Sequence, residues 1–158
     1  MMQRAIFAVT GAALLALSAT SALPQQNALK DQLLGSWTLV TADAFGANPK
    51  GSLMFDASGH FSAILLTANL PKYAANSRTQ GTAEEYTATV KGSLVFFGTY
   101  AVSGTDLNLR IEGSSYPNWE EISQKRTNVA VTGDELKYTQ PAPSGGGGAT
   151  VVIWKRAK

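Results

Sequence analysis

The residues best suited to bind a polar group lie in one run, EEISQKRTNVAV, from Glu120 to Val131. Its Ile, Val and Thr residues favour a strand, in which successive side chains point to opposite faces. Counting by twos puts charged and hydroxyl side chains on one face, which we expect in solvent: Glu121, Ser123, Lys125 and Thr127. The other face then points to the core and carries Ile122, Gln124, Arg126 and Asn128.

A glutamine and an arginine inside a core need hydrogen-bond partners or a polar group of a ligand. Arginine presents a planar fork of donors that matches a carboxylate. We therefore hypothesise that Gln124 and Arg126 orient the polar end of a bound molecule. The alternative is that Arg126 pairs with a carboxylate inside the protein or faces outward.

Aromatic side chains near this run would suit the apolar part of such a molecule. The preceding SYPNW segment carries Tyr116 and Trp119, which either close over a guest or anchor their loop to the rim of the fold. In the predicted strand 93–102, Tyr100 and Phe97 lie on opposite faces. We favour Tyr100 as the internal residue, because its hydroxyl would add a second polar handle, and Phe97 is the alternative.

Several kinds of chemistry are not indicated. The chain has no cysteine, which excludes disulfides, thiolate metal sites and cysteine nucleophiles. Its single histidine, His60, adjoins a predicted tight turn, where we expect it exposed and unable to serve a catalytic triad. Glu120 and Glu121 would point to opposite faces of a strand, so a two-carboxylate hydrolase is not indicated. With no phosphate loop or dinucleotide fingerprint either, we expect no catalytic residues, no metal and no cofactor.

Composition indicates one soluble domain. Of 158 residues, 44% are hydrophobic and 15% are charged, and the formal net charge is +2. The basic residues are scattered and form no stripe, so we expect no nucleic-acid partner. We expect a monomer whose partner is a small molecule.

The first residues have the pattern of a secretory signal. Arg4 precedes an apolar stretch at residues 5–17, and the small residues TSA follow at 20–22. We therefore predict a cleaved signal peptide at 1–22, a folded domain at 23–158, and a secreted or periplasmic protein without a membrane span after cleavage. The alternative is an uncleaved N-terminal anchor, because the apolar stretch is almost long enough to span a bilayer.

Runs rich in β-branched and aromatic residues predict the elements that must position these side chains. We predict eight strands, at 36–42, 51–57, 60–67, 93–102, 106–112, 120–131, 135–140 and 150–156. Short turns (ASG, SGT, TGD) alternate with long connections, which in an up-and-down sheet puts every tight turn at one end. The pattern favours an all-β, eight-stranded, up-and-down antiparallel barrel over a β-sandwich.

Two helices are predicted around this sheet. The segment NALKDQLL, residues 27–34, indicates a short N-terminal helix. In the long third connection, Thr82 is placed to cap a helix with Glu84 and Glu85 in its first turn, where acidic side chains favour the helix dipole. We expect this helix to lie over the open end as a lid, and an irregular surface loop is the alternative.

The sequence resembles the lipocalin-like domain family of the calycin superfamily. It has Gly-x-Trp in LLGSWTLV and then, in the family's order, GSLMFDASGHFSA, FFGTYAV, SSYPNWEEISQKR, TGDELKYT and VIWKR. The likeness covers nearly all of the chain after the leader. It implies an eight-stranded barrel with an interior site for a small, mainly apolar molecule. It also implies a structural pair at the closed end, in which Arg156 lies over the ring of Trp37.

Together, the residues and the resemblance predict an exported barrel that binds a small hydrophobic or amphipathic molecule. Related barrels include cyclases and isomerases, so an enzyme in which Tyr100 and Arg126 polarise a carbonyl is one alternative. A barrel filled by its own side chains, with an envelope or partner-binding role, is another.

Overall fold

Eight antiparallel strands form the fold in the computed structural model, which describes residues 22–158. Pairing follows chain order and closes where the last strand meets the first, so the predicted barrel is confirmed. The strands are β1 (Gly35–Ala42), β2 (Lys50–Phe55), β3 (His60–Leu66), β4 (Ser93–Ser103), β5 (Asp106–Ser114), β6 (Ser123–Thr132), β7 (Glu135–Gln140) and β8 (Thr150–Arg156). The helices are α1 (Ala22–Leu33) and α2 (Ala83–Lys91), and 3-10 turns lie at Asp43–Phe45 and Pro117–Trp119. Apart from Ala22, the predicted signal peptide lies outside the described residues.

Closure of the barrel depends on β1, which pairs with β2 on one side and with β8 on the other. Trp37, for example, lies opposite Leu53 of β2 and opposite Arg156 of β8. A closed sheet leaves no strand edge with unpaired backbone groups. The barrel is therefore a rigid frame for the side chains inside it.

The two ends of the barrel differ as the lengths of the connections predict. Tight turns join β2 to β3, β4 to β5 and β6 to β7, all at one end, which we call the closed end. α1 packs against this end with Leu29 and Leu33 buried. The four longer connections lie at the opposite end, which we call the mouth.

Alternation along the strands fills the interior. Leu107, Leu109 and Ile111 of β5 are buried, as period-2 counting predicts. On β4, Tyr100 is buried whereas Phe97 is 51% exposed, which settles the choice between the two faces of that strand.

β6 departs from the prediction at both of its ends. It begins at Ser123 and not at Glu120, because the 3-10 turn precedes it and Glu121 has a left-handed backbone with φ of 59°. Further along, Asn128 also has a positive φ of 53°, and the register with β7 shifts between Thr127 and Ala130. This bulge puts Val129 in the core and Asn128 at the surface, so the predicted inward position of Asn128 is wrong.

The predicted helix in the third connection is confirmed as α2. Thr82 caps it: the Thr82 hydroxyl accepts from the Glu85 amide at 3.2 Å, and the Glu85 carboxylate accepts from the Thr82 amide at 2.9 Å. α2 has no buried residue, and none of its residues lines the cavity described below. The structure therefore contains the predicted helix, but it does not show α2 covering the cavity.

Candidate ligand site at the barrel mouth

A cavity opens at the mouth between the 3-10 turn Asp43–Phe45 and the connection from β7 to β8. Its volume is about 50 Å³, and about 460 Å³ of empty space lies between its walls when open solvent is included. The walls are mainly apolar, and the lining includes Phe45, Leu65, Leu94, Phe96, Trp119 and Val152. An apolar recess with few polar groups is the usual form of a small-molecule site.

Arg126 of β6 lies at the inner boundary of this cavity and is 3% exposed. It also lines a void of about 10 Å³ deeper in the barrel, between Leu53, Leu107 and Tyr138. The interior beyond Arg126 is therefore nearly filled by side chains. Period-2 counting predicts its inward position because the bulge in β6 comes only after Thr127.

The surroundings of Arg126 are aromatic. Its guanidinium carbon lies 6.0 Å from the centre of the Phe96 ring, 5.9 Å from that of Trp119 and 5.9 Å from that of Tyr138. These distances allow a cation–π attraction to each ring. Together the three rings keep solvent from the charge while leaving one side of it facing the cavity.

The hydrogen bonding of Arg126 is incomplete. Its Nη1 donates to the Lys125 carbonyl oxygen at 3.1 Å, and its guanidinium also donates to the Tyr138 hydroxyl, which leaves further N–H donors without a partner among the described residues. No carboxylate of residues 22–158 forms an ion pair with it. Pairing with an internal carboxylate, the alternative raised from the sequence, is therefore not what the structure shows, and neither is an outward orientation.

Burial changes the acid–base properties of this pair of side chains. It lowers the pKa of Arg126 from its ordinary value, and the neighbouring Tyr138 phenol acts in the opposite direction. Burial also raises the pKa of Tyr138, whose hydroxyl accepts a hydrogen bond from Trp154 Nε1 at 3.1 Å. Arginine nevertheless stays protonated in proteins. At neutral pH the site therefore holds a buried cation beside a neutral phenol.

Trp119 is packed against the rim as the anchoring role predicts, and it also lines the cavity. It is 7% exposed, and its ring meets Phe96 edge-on with centroids 5.3 Å apart. Tyr116 packs against Trp119 at 6.1 Å but remains partly exposed and does not line the cavity. Of these two predicted residues, the structure brings Trp119 to Arg126.

Two other predicted ligand residues lie elsewhere. Gln124 is half-buried opposite Leu109 and does not line the cavity. The Tyr100 hydroxyl donates to the Asp56 carbonyl oxygen at 2.8 Å, in the turn after β2 at the closed end, and burial raises the pKa of Tyr100. Tyr100 and Arg126 therefore do not meet at the mouth. The enzyme alternative would need them to meet, because both side chains would have to polarise the same carbonyl.

Gln140, at the end of β7, is a cavity residue that the sequence analysis missed. It is 6% exposed, and its Nε2 donates to the Ala142 carbonyl oxygen at 2.7 Å. Its Oε1 is buried without a hydrogen-bond partner among the described residues. Period-2 counting could have predicted its inward position, because it groups Gln140 with Tyr138 and Leu136 on the inner face of β7.

Arg156 at the closed end has a different environment. Its guanidinium carbon lies 4.2 Å from the centre of the Trp37 ring, and Trp37 is fully buried. Nη1 donates to the Leu34 carbonyl and Nη2 to the Gln32 carbonyl, both at 2.9 Å. The Trp37 indole in turn donates to the Leu33 carbonyl at 2.8 Å. These contacts join the barrel to α1.

Residues 22–158 hold no group of three or more side chains suited to bind a metal ion. His60 is exposed in its turn, where its Nδ1 lies 2.8 Å from the Ser58 hydroxyl. Within the same part of the chain, neither helix has the length and apolar character needed to cross a membrane.

Among the comparisons with known proteins, the family match agrees with the barrel. A family model described as a lipocalin-like domain matches residues 35–157. A search of curated proteins found no match. Among solved structures, a redesigned beta barrel is similar to this chain with a TM-score of 0.45 and 10% identity, over 87% of this chain and 100% of that one.

Proposed function

We propose, from the premise that this chain belongs to the lipocalin-like domain family of small-molecule-binding barrels, that it binds a small amphipathic molecule with an anionic head at the mouth. The observation that carries the proposal is Arg126: a buried cation that faces a cavity and has no carboxylate partner within residues 22–158. The barrel supplies the frame, and the cavity walls supply the apolar contacts.

A buried charge without a counter-ion costs free energy, so two effects favour the binding of a ligand with the opposite charge. It forms charge-assisted hydrogen bonds with the free guanidinium donors of Arg126, and it relieves the cost of desolvation. A carboxylate fits best, because its two oxygens match the planar fork. Phe96 and Trp119 exclude solvent from the pair, which strengthens the attraction.

The size of the cavity determines how such a ligand lies. A cavity volume of about 50 Å³ holds a head group and not a whole molecule, since sites for drug-sized ligands span roughly 300–1,000 Å³. The head therefore enters first and reaches Arg126. The apolar tail then lies in the wider, solvent-open part, against Phe45 and Leu94.

Calorimetric titration with decanoate tests the proposal. Arg126→Met should weaken decanoate binding roughly 10- to 100-fold, because hydrogen bonds to a charged group are worth about 1.5–3 kcal/mol. Decanol, which has the same tail without the charge, should bind the two proteins alike. Lys125→Met is the matched control, because it removes one positive charge from the exposed outer face of the same strand. Equal decanoate affinity in the wild type and Arg126→Met would contradict the proposal.

A filled barrel with an envelope or partner-binding role is the second candidate, and the packed interior beyond Arg126 favours it. Native mass spectrometry of the protein, exported under its own leader, separates the two. A discrete extra mass that organic extraction removes supports ligand carriage. An unloaded protein that also fails to bind decanoate supports the filled barrel.

Residues 1–22 support the further proposal that the protein acts outside the cytoplasm, secreted or in a periplasm. Cell fractionation of the tagged full chain, with sequencing of the mature N-terminus, tests it. Cleavage near Ala22 and recovery outside the cytoplasm are expected. An uncleaved protein in the membrane fraction would show an anchor instead.

A further inference from the structure

We infer that the preferred ligand carries a hydrogen-bond donor on the atom next to its anionic group, and that Gln140 accepts this hydrogen bond. This inference rests on the proposed function, because it places the anionic group on Arg126. The observation behind it is that the same cavity holds a buried cation with free donors and a buried acceptor, Gln140 Oε1, without a partner among the described residues.

Strand register places the two side chains together. Thr127 of β6 pairs with Thr139 of β7. That pair is the last one of the register at this end, and continuing by one residue along each antiparallel strand brings Arg126 toward Gln140. Both are buried and line the cavity, so they share the inner face. Facing residues on such strands have Cβ atoms about 4.5–5.5 Å apart, close enough to bind adjacent groups of one ligand.

The orientation of the Gln140 amide follows from its bond to Ala142. The Ala142 carbonyl can only accept a hydrogen bond, so the amide nitrogen must face it, as the 2.7 Å contact shows. Oε1 is then the atom of this amide without a partner among the described residues, on a side chain that lines the cavity. A buried acceptor without a donor carries a desolvation cost, which an O–H or N–H of a ligand would remove.

Other polar groups of the cavity do not make the same selection. Ser144 and Thr150 line it too, but a hydroxyl can turn to donate or to accept and so does not distinguish a donor from an acceptor. Asp43 is an acceptor at the exposed rim, where solvent competes for it. The amide oxygen of Gln140 is buried, accepts only, and belongs to a side chain that lines the same cavity as Arg126.

The ligand class that fits is an amphipathic carboxylate with a donor on the carbon next to the carboxylate. A 2-hydroxy acid and an N-acyl amino acid both have this arrangement. The carboxylate would pair with Arg126 while the O–H or N–H donates to Gln140 Oε1. A plain fatty acid would satisfy Arg126 alone.

Titration of the purified protein with three matched probes tests the inference: 2-hydroxydecanoate, decanoate and 2-methoxydecanoate. The wild type should bind the hydroxy acid roughly tenfold more tightly than either of the others, since the methoxy compound keeps the oxygen without the donor. Gln140→Met, of similar shape, should lose most of this preference. Thr139→Val removes a polar side chain from the opposite face of β7 and should keep it.

The outcomes separate this inference from the proposed function. If the wild type binds all three probes equally and Arg126→Met weakens all three, the anionic site stands and the role of Gln140 is overturned. If the preference for the hydroxy acid persists in Gln140→Met, another group accepts the hydrogen bond and the inference is again overturned. If no probe binds, both proposals fail. Should Gln140→Met not fold, Gln140→Leu takes its place, with the same two outcomes.

Discussion

Each end of the barrel holds an arginine beside a tryptophan, and the two arginines differ in burial and in the partners of their guanidinium groups. At the closed end, Arg156 lies over Trp37 and donates to two backbone carbonyls at the end of α1. At the mouth, Arg126 lies farther from Trp119 and donates to one backbone carbonyl and to the Tyr138 hydroxyl. The residue types alone would have suggested similar roles.

The difference shows what distinguishes a structural arginine from a binding one. Arg156 is only partly buried, yet its terminal nitrogens meet acceptors of the chain itself, so an added ligand would gain little there. Arg126 is more deeply buried and has donors to spare. Burial without satisfied hydrogen bonds costs free energy. At the closed end, α1 and the residue after it supply acceptors to Arg156. At the mouth, a ligand would supply acceptors to Arg126.

Loss of the closed-end tryptophan should give the largest effect. Trp37→Ala should lower the free energy of unfolding by about 3–5 kcal/mol, because it empties a fully buried site and removes the surface on which Arg156 lies. Denaturant titration measures the change. Trp119→Ala is the comparison: it should cost less stability, because its turn can open without disturbing the barrel strands, and it should weaken decanoate binding. Unchanged stability of Trp37→Ala would break the contrast.

The same substitution at the two arginines gives the next largest effect. Arg156→Met should cost about 2 kcal/mol of stability, since two carbonyls at the helix end lose a charged donor. Arg126→Met should change stability by less than about 1 kcal/mol in either direction, because an apolar side chain can replace an unpaired buried charge without loss. Thermal and denaturant unfolding of both variants at pH 7 measures the difference. If Arg126→Met costs as much as Arg156→Met, Arg126 is a structural residue too.

Local patterns explain how much of this contrast could be predicted from the sequence. The alternation of tight and long connections predicts which end is closed, and period-2 counting predicts that Arg126 points inward. The capping pattern of Thr82 and Glu85 predicts α2. Each of these signals lies within a few residues of the feature it predicts, and strand or helix geometry translates it directly.

The features that escaped prediction depend on contacts between distant or irregular segments. The Tyr100 hydroxyl bonds to Asp56, 44 positions away, and counting along one strand cannot show which end a hydroxyl reaches. The bulge at Asn128 depends on how β6 meets β7. Gln140 matters because its amide nitrogen is held by Ala142 in the following connection, which leaves its oxygen unpaired.

The smallest expected effect concerns the rim of the mouth. Asp43 is exposed there and lines the cavity, so its charge opposes the approach of an anionic head. Exposed charge pairs are worth only about 0.2–1 kcal/mol, so Asp43→Asn should raise decanoate affinity by roughly twofold. The gain should shrink as salt is added, because salt screens exposed charges.

Glu135→Gln provides the matched control, because Glu135 is an exposed acid at the closed end and its loss changes the net charge equally. We expect this variant to bind decanoate like the wild type. If both variants raised the affinity by the same factor, the overall charge of the protein would account for the effect, and the mouth would not be electrostatically distinct from the closed end. A gain confined to Asp43→Asn would place the path of the anion over the rim of the mouth, toward the arginine whose donors are free.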